Sequence, residues 1–551
     1  MQCFPTERGK TTGRPWFASD WLVDHQQRQS ELPDMKRATS REGSRQTTRL
    51  PVLGGVEDTK ATGGHHKLGM FKGVLVPTCE NMWGVIIFLR FYTIVGYAGM
   101  GNTILIVTLS WSVAMLTALA LSAIATCGTS HKLSGVYPML ARALGKEVAT
   151  ATGLIYFLGI VCLAVLECLG ACEELFKVAP VLEPIGGMRL WGFFFMTLLS
   201  AFVGGGIQIV SKLGLAFFAV VIVTLVFLYI SLIGAPTLVA VDKPECLPDG
   251  SNFTYVLDGS GSGSSGRRLA GGGSYDPNRP LMCPSGLSLA NFAENWGPGF
   301  TEEYPFSECL GIFFPCFTGI LSGANRASSL RDPVTAIPHG TLGAICSSYV
   351  MYLTLFLLWS GVGSRAYLQQ PYGQINTAFF PWVKAAQVGI ILSSLGQALQ
   401  CLVVAPRLLS SIAASGTIRA LRPFAILTAG EPKRALLGAY FLGSCITMLG
   451  SLNLVAPLLS MCFLLCYACM NLNSFFLDFL KDPHWRPKWR FFHWSVGLAG
   501  FVLCVFVMFL IQVCRVSCSP HPIATCHAPI DHVPCSPHPI ATCHAPIDHV
   551  P

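Results

Sequence analysis

Charged side chains are scarce in this sequence. They make up 12% of its 551 residues, whereas 52% are hydrophobic and the mean hydropathy is +0.53. A soluble domain carries about 25% charged residues, so this composition excludes a soluble globular protein. Four uncharged runs exceed the roughly 20 residues that a helix needs to cross a bilayer. These runs are 103–126, 213–235, 341–363 and 491–513.

Motifs for catalysis and for metal binding are also missing. We find no nucleotide-binding loop, no nucleophile elbow and no zinc pattern, so we expect neither an enzyme nor a protein with a cofactor or a metal centre. The first 70 residues are polar and rich in arginine, which differs from a signal peptide. Most of the 22 cysteines lie in apolar runs, where cysteine usually acts as a small buried hydrophobe.

The apolar runs predict an all-α membrane protein with about eleven transmembrane helices. They cover residues 71–97, 103–126, 150–172, 191–210, 213–235, 306–323, 341–363, 383–405, 435–450, 452–476 and 491–513. With the N-terminus in the cytoplasm, the short cytoplasmic connections hold 15 Lys and Arg, and the two short external ones hold three. We therefore expect a multi-pass plasma-membrane protein. The net charge of +8 reflects this topology rather than a nucleic-acid partner.

The chain divides into three parts. Residues 1–70 are expected to form a disordered cytoplasmic tail and residues 71–513 a transporter domain. Within that domain, residues 236–303 form a long extracellular connection with a glycosylation sequon at Asn252 and a possible disulfide between Cys246 and Cys283. Residues 514–551 read as a low-complexity tail, because 518–534 repeat identically as 535–551.

Two apolar spans are interrupted by polar, glycine-containing sequence. The interruptions cover residues 79–86 and 314–323 and lie about 235 residues apart. An unpaired backbone group in a bilayer costs several kcal/mol, so a broken span persists only where it lines a cavity or binds a ligand. Paired breaks in corresponding halves of the chain predict a secondary transporter with its site at mid-membrane.

Several short motifs resemble one known family. They are GVIIFLR at 84–90, SAIAT at 122–126, GIFFP at 311–315, TGI at 318–320, APRLL at 405–409, LVAP at 454–457 and WRP at 485–487 followed by HW at 493–494. The chain resembles the cation–chloride cotransporters of the amino-acid–polyamine–organocation superfamily, and the potassium–chloride branch most closely. This implies two inverted five-helix repeats with broken helices 1 and 6, and a homodimer. We expect the family's twelfth helix and large cytoplasmic domain to be absent.

The breaks supply candidate ligands for both ions. Free amides at the start of a half-helix attract an anion, and free carbonyls at the end of one suit a cation. The positions that match the family's chloride ligands are Gly84, Val85 and Ile86 for one ion, and Gly319, Ile320 and Leu321 with the Tyr467 hydroxyl for a second. The positions that match its potassium ligands are the carbonyls of Asn81, Met82 and Pro315 and the hydroxyl of Thr318.

Two carboxylates depart from the family pattern. Glu167 stands where the family has a potassium-binding tyrosine, and Glu80 lies beside Asn81. A carboxylate inside a membrane span is expensive and is usually functional, so we include Glu80 and Glu167 in the cation site. If both face the cavity, either a cation is held more strongly or a proton occupies one carboxyl.

Other departures concern sodium and the external end of the third span. Gln397 and Ala398 replace the serine pair of sodium-coupled relatives, so sodium coupling is disfavoured. We expect Glu173 and Glu174 to be solvated at the external end of the third span.

Three functions stay open from the sequence. The first is symport of potassium with chloride by alternating access. The second is a proton-coupled transporter of an organic cation, polyamine or amino acid with the same fold. The third is a transport-inactive regulatory membrane protein.

Overall fold

A computed structural model describes eight stretches of the chain. They are residues 68–127, 135–205, 207–242, 286–327, 330–369, 383–428, 431–481 and 485–517. Their regular structure is helical apart from two isolated bridges, Leu68 with Leu330 and Thr428 with Glu431. The predicted all-α class is therefore confirmed.

Several sequence predictions fall outside these stretches. They concern the tail over residues 1–67, the sequon at Asn252, the pair Cys246 and Cys283, and the repeat over residues 518–551. These remain predictions. Of the connection predicted over 236–303, the structure describes 236–242 and 286–303.

The first five spans begin with short helical pieces and continue with long helices. A π-helical turn over Phe71–Leu75 leads into α1 and α2, and four longer helices follow. They are α1 (Val76–Met82), α2 (Ile86–Leu89), α3 (Phe91–Thr126), α4 (Val136–Val178), α5 (Gly187–Gly204) and α6 (Ile207–Asp242).

The remaining spans repeat this order of a broken segment followed by long helices. A 3-10 segment, Phe314–Leu321, separates α8 from α9. The helices are α7 (Leu289–Glu294), α8 (Phe306–Phe313), α9 (Ser322–Asn325), α10 (Pro333–Val362), α11 (Arg365–Leu368), α12 (Val383–Ala414), α13 (Lys433–Thr447), α14 (Leu452–Phe479) and α15 (Trp494–Ser517).

Nine helical segments of the described chain are long and apolar enough to cross a membrane. Two predicted spans are shorter as helices: the first because it is broken, and α13 because it has 15 residues. With these two included, the series has the eleven predicted spans. The first and the sixth are the broken ones, so the interruption recurs after five spans, as the predicted 5+5 arrangement requires.

Gly99 marks the boundary between the first two spans inside α3. Its φ of 73° lies in the left-handed region that favours glycine. A methyl group there would also overlap the carbonyl group of Gly297. The sequence places this boundary between residues 97 and 103, and the kink confirms it.

Burial separates central helices from peripheral ones. The apolar windows of α4, α12 and the segment Phe306–Asn325 are 83–89% buried, whereas those of α5 and α15 are 28% buried. An apolar helix that stays exposed in the isolated chain faces lipid. The second broken span therefore lies in the interior of the bundle, where it packs against α1, α3 and α14.

Candidate functional site

The first break begins where α1 ends at Met82. Trp83 has φ −93° and ψ 57°, and α2 starts at Ile86. The indole Nε1 of Trp83 donates to Oγ of Ser348 at 2.8 Å. The interruption is shorter than the predicted 79–86, because the chain stays helical up to Met82.

The second break follows α8. Residues 314–321 form a buried 3-10 segment in which Phe317 has non-helical angles, φ −116° and ψ 19°. Oγ1 of Thr318 donates to the carbonyl of Pro315 at 2.7 Å. The regular α-helical hydrogen bonding is thus replaced over two to three turns by tighter and less regular backbone geometry.

The two breaks meet inside the bundle. A methyl group on Gly319 would collide with Cβ of Asn81 and lie 3.1 Å from the Asn81 carbonyl carbon. The hydroxyl of Tyr352, on α10, lies 2.8 Å from the Met82 carbonyl oxygen and 2.9 Å from that of Cys316, so it joins one break to the other. The chain order of the spans alone does not require this proximity; the packing of glycine against Asn81 produces it.

The predicted cation ligands lie together around this junction. The carbonyl of Asn81 accepts from Nε2 of Gln397 at 2.8 Å, and the carbonyls of Met82 and Pro315 accept from hydroxyls. Each carbonyl oxygen has two lone pairs, so an oxygen that accepts one hydrogen bond can still coordinate an ion. The backbone arrangement can therefore contribute oxygens to a monovalent cation.

The predicted chloride ligands of the first break face a carboxylate of the chain itself. The amide of Val85 donates to Oε2 of Glu167 at 3.2 Å. The amides of Gly84 and Ile86 have no hydrogen-bond acceptor among the described residues.

The predicted chloride ligands of the second break surround Tyr467. Its hydroxyl lies 2.7 Å from the Thr318 carbonyl oxygen, to which it donates, and 3.1 Å from that of Phe317. Gly319 and Leu321 are buried beside it in the 3-10 segment. The predicted set is therefore contiguous in space.

Glu167 and Glu80 occupy different surroundings. Both side chains are buried, and the carboxylate of Glu167 accepts from the amide of Val85. Oγ of Ser394 lies 2.9 Å from this carboxylate and 2.7 Å from the main-chain carbonyl oxygen of Glu167, and its one proton is shared between them. Oε2 of Glu80 accepts from Nε2 of Gln400 at 3.0 Å, and Gln400 in turn accepts from Arg326. Glu167 thus touches the first break directly, whereas Glu80 is linked through Gln400 to the end of the second broken span.

Sequence reasoning missed the polar residues that hold these groups. The sequence motifs do not identify Tyr352, and they mark Gln397 only as the replacement of a serine of sodium-coupled relatives. Ser394, Gln397 and Gln400 recur every three residues on α12, which places them along one side of that helix. This periodicity is visible in the sequence and could have identified a polar stripe aimed at the site.

The expectation that Glu173 and Glu174 are solvated is wrong. Glu173 is 8% exposed and accepts from both terminal nitrogens of Arg90, at 3.1 and 2.9 Å. Glu174 is fully buried and pairs with Lys177 at 2.9 Å. The end of α4 is covered by neighbouring segments, and two basic side chains compensate the carboxylates there.

Comparisons with known proteins identify relatives of this chain. Residues 73–261 and 278–519 match the family model described as amino acid permease. Cation-chloride cotransporter 1 of Oryza sativa subsp. japonica is 34% identical over 487 residues, which are 81% of this chain and 45% of that protein. Cation-chloride cotransporter 1 of Arabidopsis thaliana is 33% identical over 495 residues, 83% of this chain and 47% of that protein.

The chain therefore spans about half the length of the curated relatives it matches. The resemblance to cation–chloride cotransporters inferred from the motifs is confirmed. Among solved structures, Mhp1, a nucleobase-cation-symport-1 family transporter in a closed conformation with bromovinylhydantoin bound, aligns with a TM-score of 0.48 and 12% identity. That alignment covers 82% of this chain and 93% of that one.

Proposed function

Because this chain belongs to the amino acid permease family, we propose that it is a secondary active symporter that moves potassium together with chloride by alternating access. The observation that carries the proposal is the meeting of the two breaks, at Asn81 and Gly319, in the interior of a membrane bundle. Backbone groups released from helical bonding can replace part of the hydration shell of an ion there. The relatives named cation-chloride cotransporter 1 support a cation and chloride as the transported ions, and potassium is our choice of cation.

We assign the two ions to opposite ends of the backbone dipoles. The cation binds the carbonyl oxygens of Asn81, Met82 and Pro315 with the Thr318 hydroxyl, because these oxygens converge where the breaks touch. Chloride binds in the second break, where the site is formed by the amides of Gly319, Ile320 and Leu321 and by the Tyr467 hydroxyl, which exchanges its bond to the Thr318 carbonyl for one to the ion. The amides of Gly84, Val85 and Ile86 form a second anion-binding position at the first break.

Chloride-dependent rubidium uptake tests this function. The purified protein is reconstituted into vesicles, and rubidium uptake is measured in chloride and in gluconate at equal ionic strength. We expect uptake that needs chloride and exceeds that of vesicles without protein. Uptake of equal size in gluconate would contradict symport with chloride.

The two buried carboxylates favour one second candidate. Glu80 and Glu167 lie inside the membrane bundle, and such groups often bind organic cations or carry protons in transporters. A proton-coupled transporter of amines or amino acids would show uptake of those solutes driven by a pH gradient and indifferent to chloride. The absence of uptake in both assays would indicate a regulatory membrane protein without transport activity.

The same proposal includes the setting of the protein in the cell. We place its N-terminus in the cytoplasm, because Lys and Arg concentrate in the connections that this orientation makes cytoplasmic. The lipid bilayer is then that of the plasma membrane, where the sequon at Asn252 faces outward. A homodimer and membership of the potassium–chloride branch complete the proposal.

A further inference from the structure

Glu167 occupies the anion-binding position of the first break. Its Oε2 accepts from the amide of Val85 at 3.2 Å and lies 2.9 Å from Oγ of Ser394. An amide is a donor that a bound halide would use, and the Ser394 hydroxyl divides its proton between this position and the main-chain carbonyl of Glu167 at 2.7 Å. The side chain is 1% exposed, so the carboxylate meets the break inside the protein rather than across a solvent channel.

Gln397 supplies a second, independent observation at the same place. Its Nε2 donates to the Asn81 carbonyl, which fixes the amide orientation, because the opposite orientation would set two acceptor oxygens against each other. Oε1 of Gln397 is then buried and has no hydrogen-bond donor among the described residues. A methyl group on Gly84 would overlap both this atom and Oε1 of Glu167, so the two oxygens face one small volume beside the break.

Two acceptor oxygens that share a buried volume require either a proton or a cation between them. Among the described residues, no Lys, Arg or His pairs with Glu167. The thiols of Cys168, Cys316 and Cys401 lie close enough to feel the charge of Glu167, and a thiol supplies no positive charge.

We propose that Glu167 is a built-in counter-ion of the transport site. Its Oε2 takes the place of a chloride at the amide of Val85, and its Oε1 binds the transported monovalent cation together with Oε1 of Gln397. This inference rests on the proposed symport and refines it. The carboxylate of Glu167 occupies one of the two anion-binding positions, so the protein binds a single chloride, at the second break.

The test compares the wild type with E167Q in the vesicle assay. In the wild type we expect uptake to follow chloride concentration with a Hill coefficient of about 1, since one site binds chloride. In E167Q the negative charge at this position is lost, so the Val85 amide can donate to a second halide and the coefficient should rise toward about 2. The half-saturating rubidium concentration should rise roughly tenfold or more, because a charged ligand is lost.

A second variant isolates the role of Gln397. Q397M keeps the length of the side chain and removes both polar atoms, so we expect a higher half-saturating rubidium concentration and an unchanged chloride Hill coefficient. E147Q is the matched control, because Glu147 lies on the same helix as Glu167 and is exposed. It should reproduce both wild-type curves.

Thermal stability gives a readout that does not require transport. For the purified proteins, chloride in place of gluconate should raise the melting temperature of E167Q more than that of the wild type, because each additional chloride that binds the folded protein adds to its stability. E167A serves the same purpose if E167Q does not fold.

The outcomes separate this inference from the proposed function. Glutamine resembles a protonated glutamic acid, so unchanged rubidium and chloride curves in E167Q would show that a proton, not a cation, lies between the oxygens and would overturn the inference alone. Absence of chloride-dependent uptake and of chloride stabilisation in the wild type would overturn the symport and the inference together.

Discussion

Single hydroxyl groups hold the backbone of both breaks. Tyr352 and Tyr467 are fully buried, and each hydroxyl lies within hydrogen-bond distance of two main-chain carbonyls. In a bilayer no water is available for such carbonyls, so a protein donor must satisfy them. These tyrosines thus stabilise the interrupted backbone and limit which of its polar groups remain available to an ion.

Removing the hydroxyl of Tyr467 should weaken chloride binding. We expect Y467F to raise the half-saturating chloride concentration roughly 2- to 12-fold, since one neutral hydrogen bond contributes about 0.5–1.5 kcal/mol. The measurement is rubidium uptake against chloride concentration. Y137F is a suitable control, because the hydroxyl of Tyr137 pairs with Thr150 on its own helix. Unchanged chloride affinity in Y467F would remove this residue from the site.

Residues of the breaks could be predicted, but their partners could not. Asn81, Gly84, Pro315 and Gly319 stand out because glycine, proline and amides interrupt otherwise apolar runs. Tyr352 lies within an uninterrupted run, where a lone tyrosine can face lipid headgroups, a neighbouring helix or a cavity. Only packing decides among these, since it depends on the rotation of α10 against the rest of the bundle.

Close approach of the two broken elements depends on Gly319. The added methyl group of G319A would strike Cβ of Asn81, which belongs to α1 and is not the flexible end of a side chain. Overpacking of this kind costs about 1–3 kcal/mol. We expect G319A to lose most of its rubidium uptake and to melt at a lower temperature than the wild type.

The matched control for G319A is G343A on α10. A methyl group at Gly343 meets Cδ1 of Leu75 at 3.5 Å, an ordinary van der Waals contact. Uptake should therefore be retained in G343A. If both variants kept full uptake, the close contact between the breaks would not be required for transport.

A buried ion pair joins the segment after α2 to the end of α4. Arg90 and Glu173 meet at 2.9 Å with 12% and 8% of their side chains exposed. Removing one partner of such a pair leaves a buried charge and costs about 3–5 kcal/mol. We expect E173Q to lower the melting temperature in detergent markedly.

The exposed pair Arg407–Glu431 provides the comparison for E173Q. Its atoms lie 3.6 Å apart and about a third of each side chain is exposed, so E431Q should cost only about 0–1 kcal/mol. Equal melting temperatures for the two variants would contradict the view that burial makes the Arg90–Glu173 pair contribute more to stability than the exposed pair. The sequence suggested solvated glutamates here because charge at the end of a span usually faces water.

At the scale of the whole molecule, composition was sufficient to predict the class. Low charge and long apolar runs gave the all-α membrane fold and the number of spans, because the thickness of the bilayer sets helix length. The sequence placed the boundaries of the kinked helices less well. It begins the third span at 150, whereas α4 starts at Val136 and bends at Gly145, where φ is 80°.

Glycosylation tests the orientation of the whole chain. If residues 236–303 are extracellular, Asn252 is accessible to the glycosylation machinery, and the protein made in eukaryotic cells should shift in electrophoretic mobility after glycosidase treatment. N252Q should abolish that shift. If the wild-type protein reached the cell surface but its mobility did not change after glycosidase treatment, glycosylation of Asn252 would be excluded.

Trp83 gives the first break its own fluorescent reporter. The indole bonds to Ser348 and stacks on Phe218 at 5.9 Å between ring centroids, at the one residue where α1 gives way to non-helical backbone. Any rearrangement of that backbone changes the polarity and stacking around the ring. Difference emission spectra between the wild type and W83F would therefore follow such rearrangements in real time, without an attached dye.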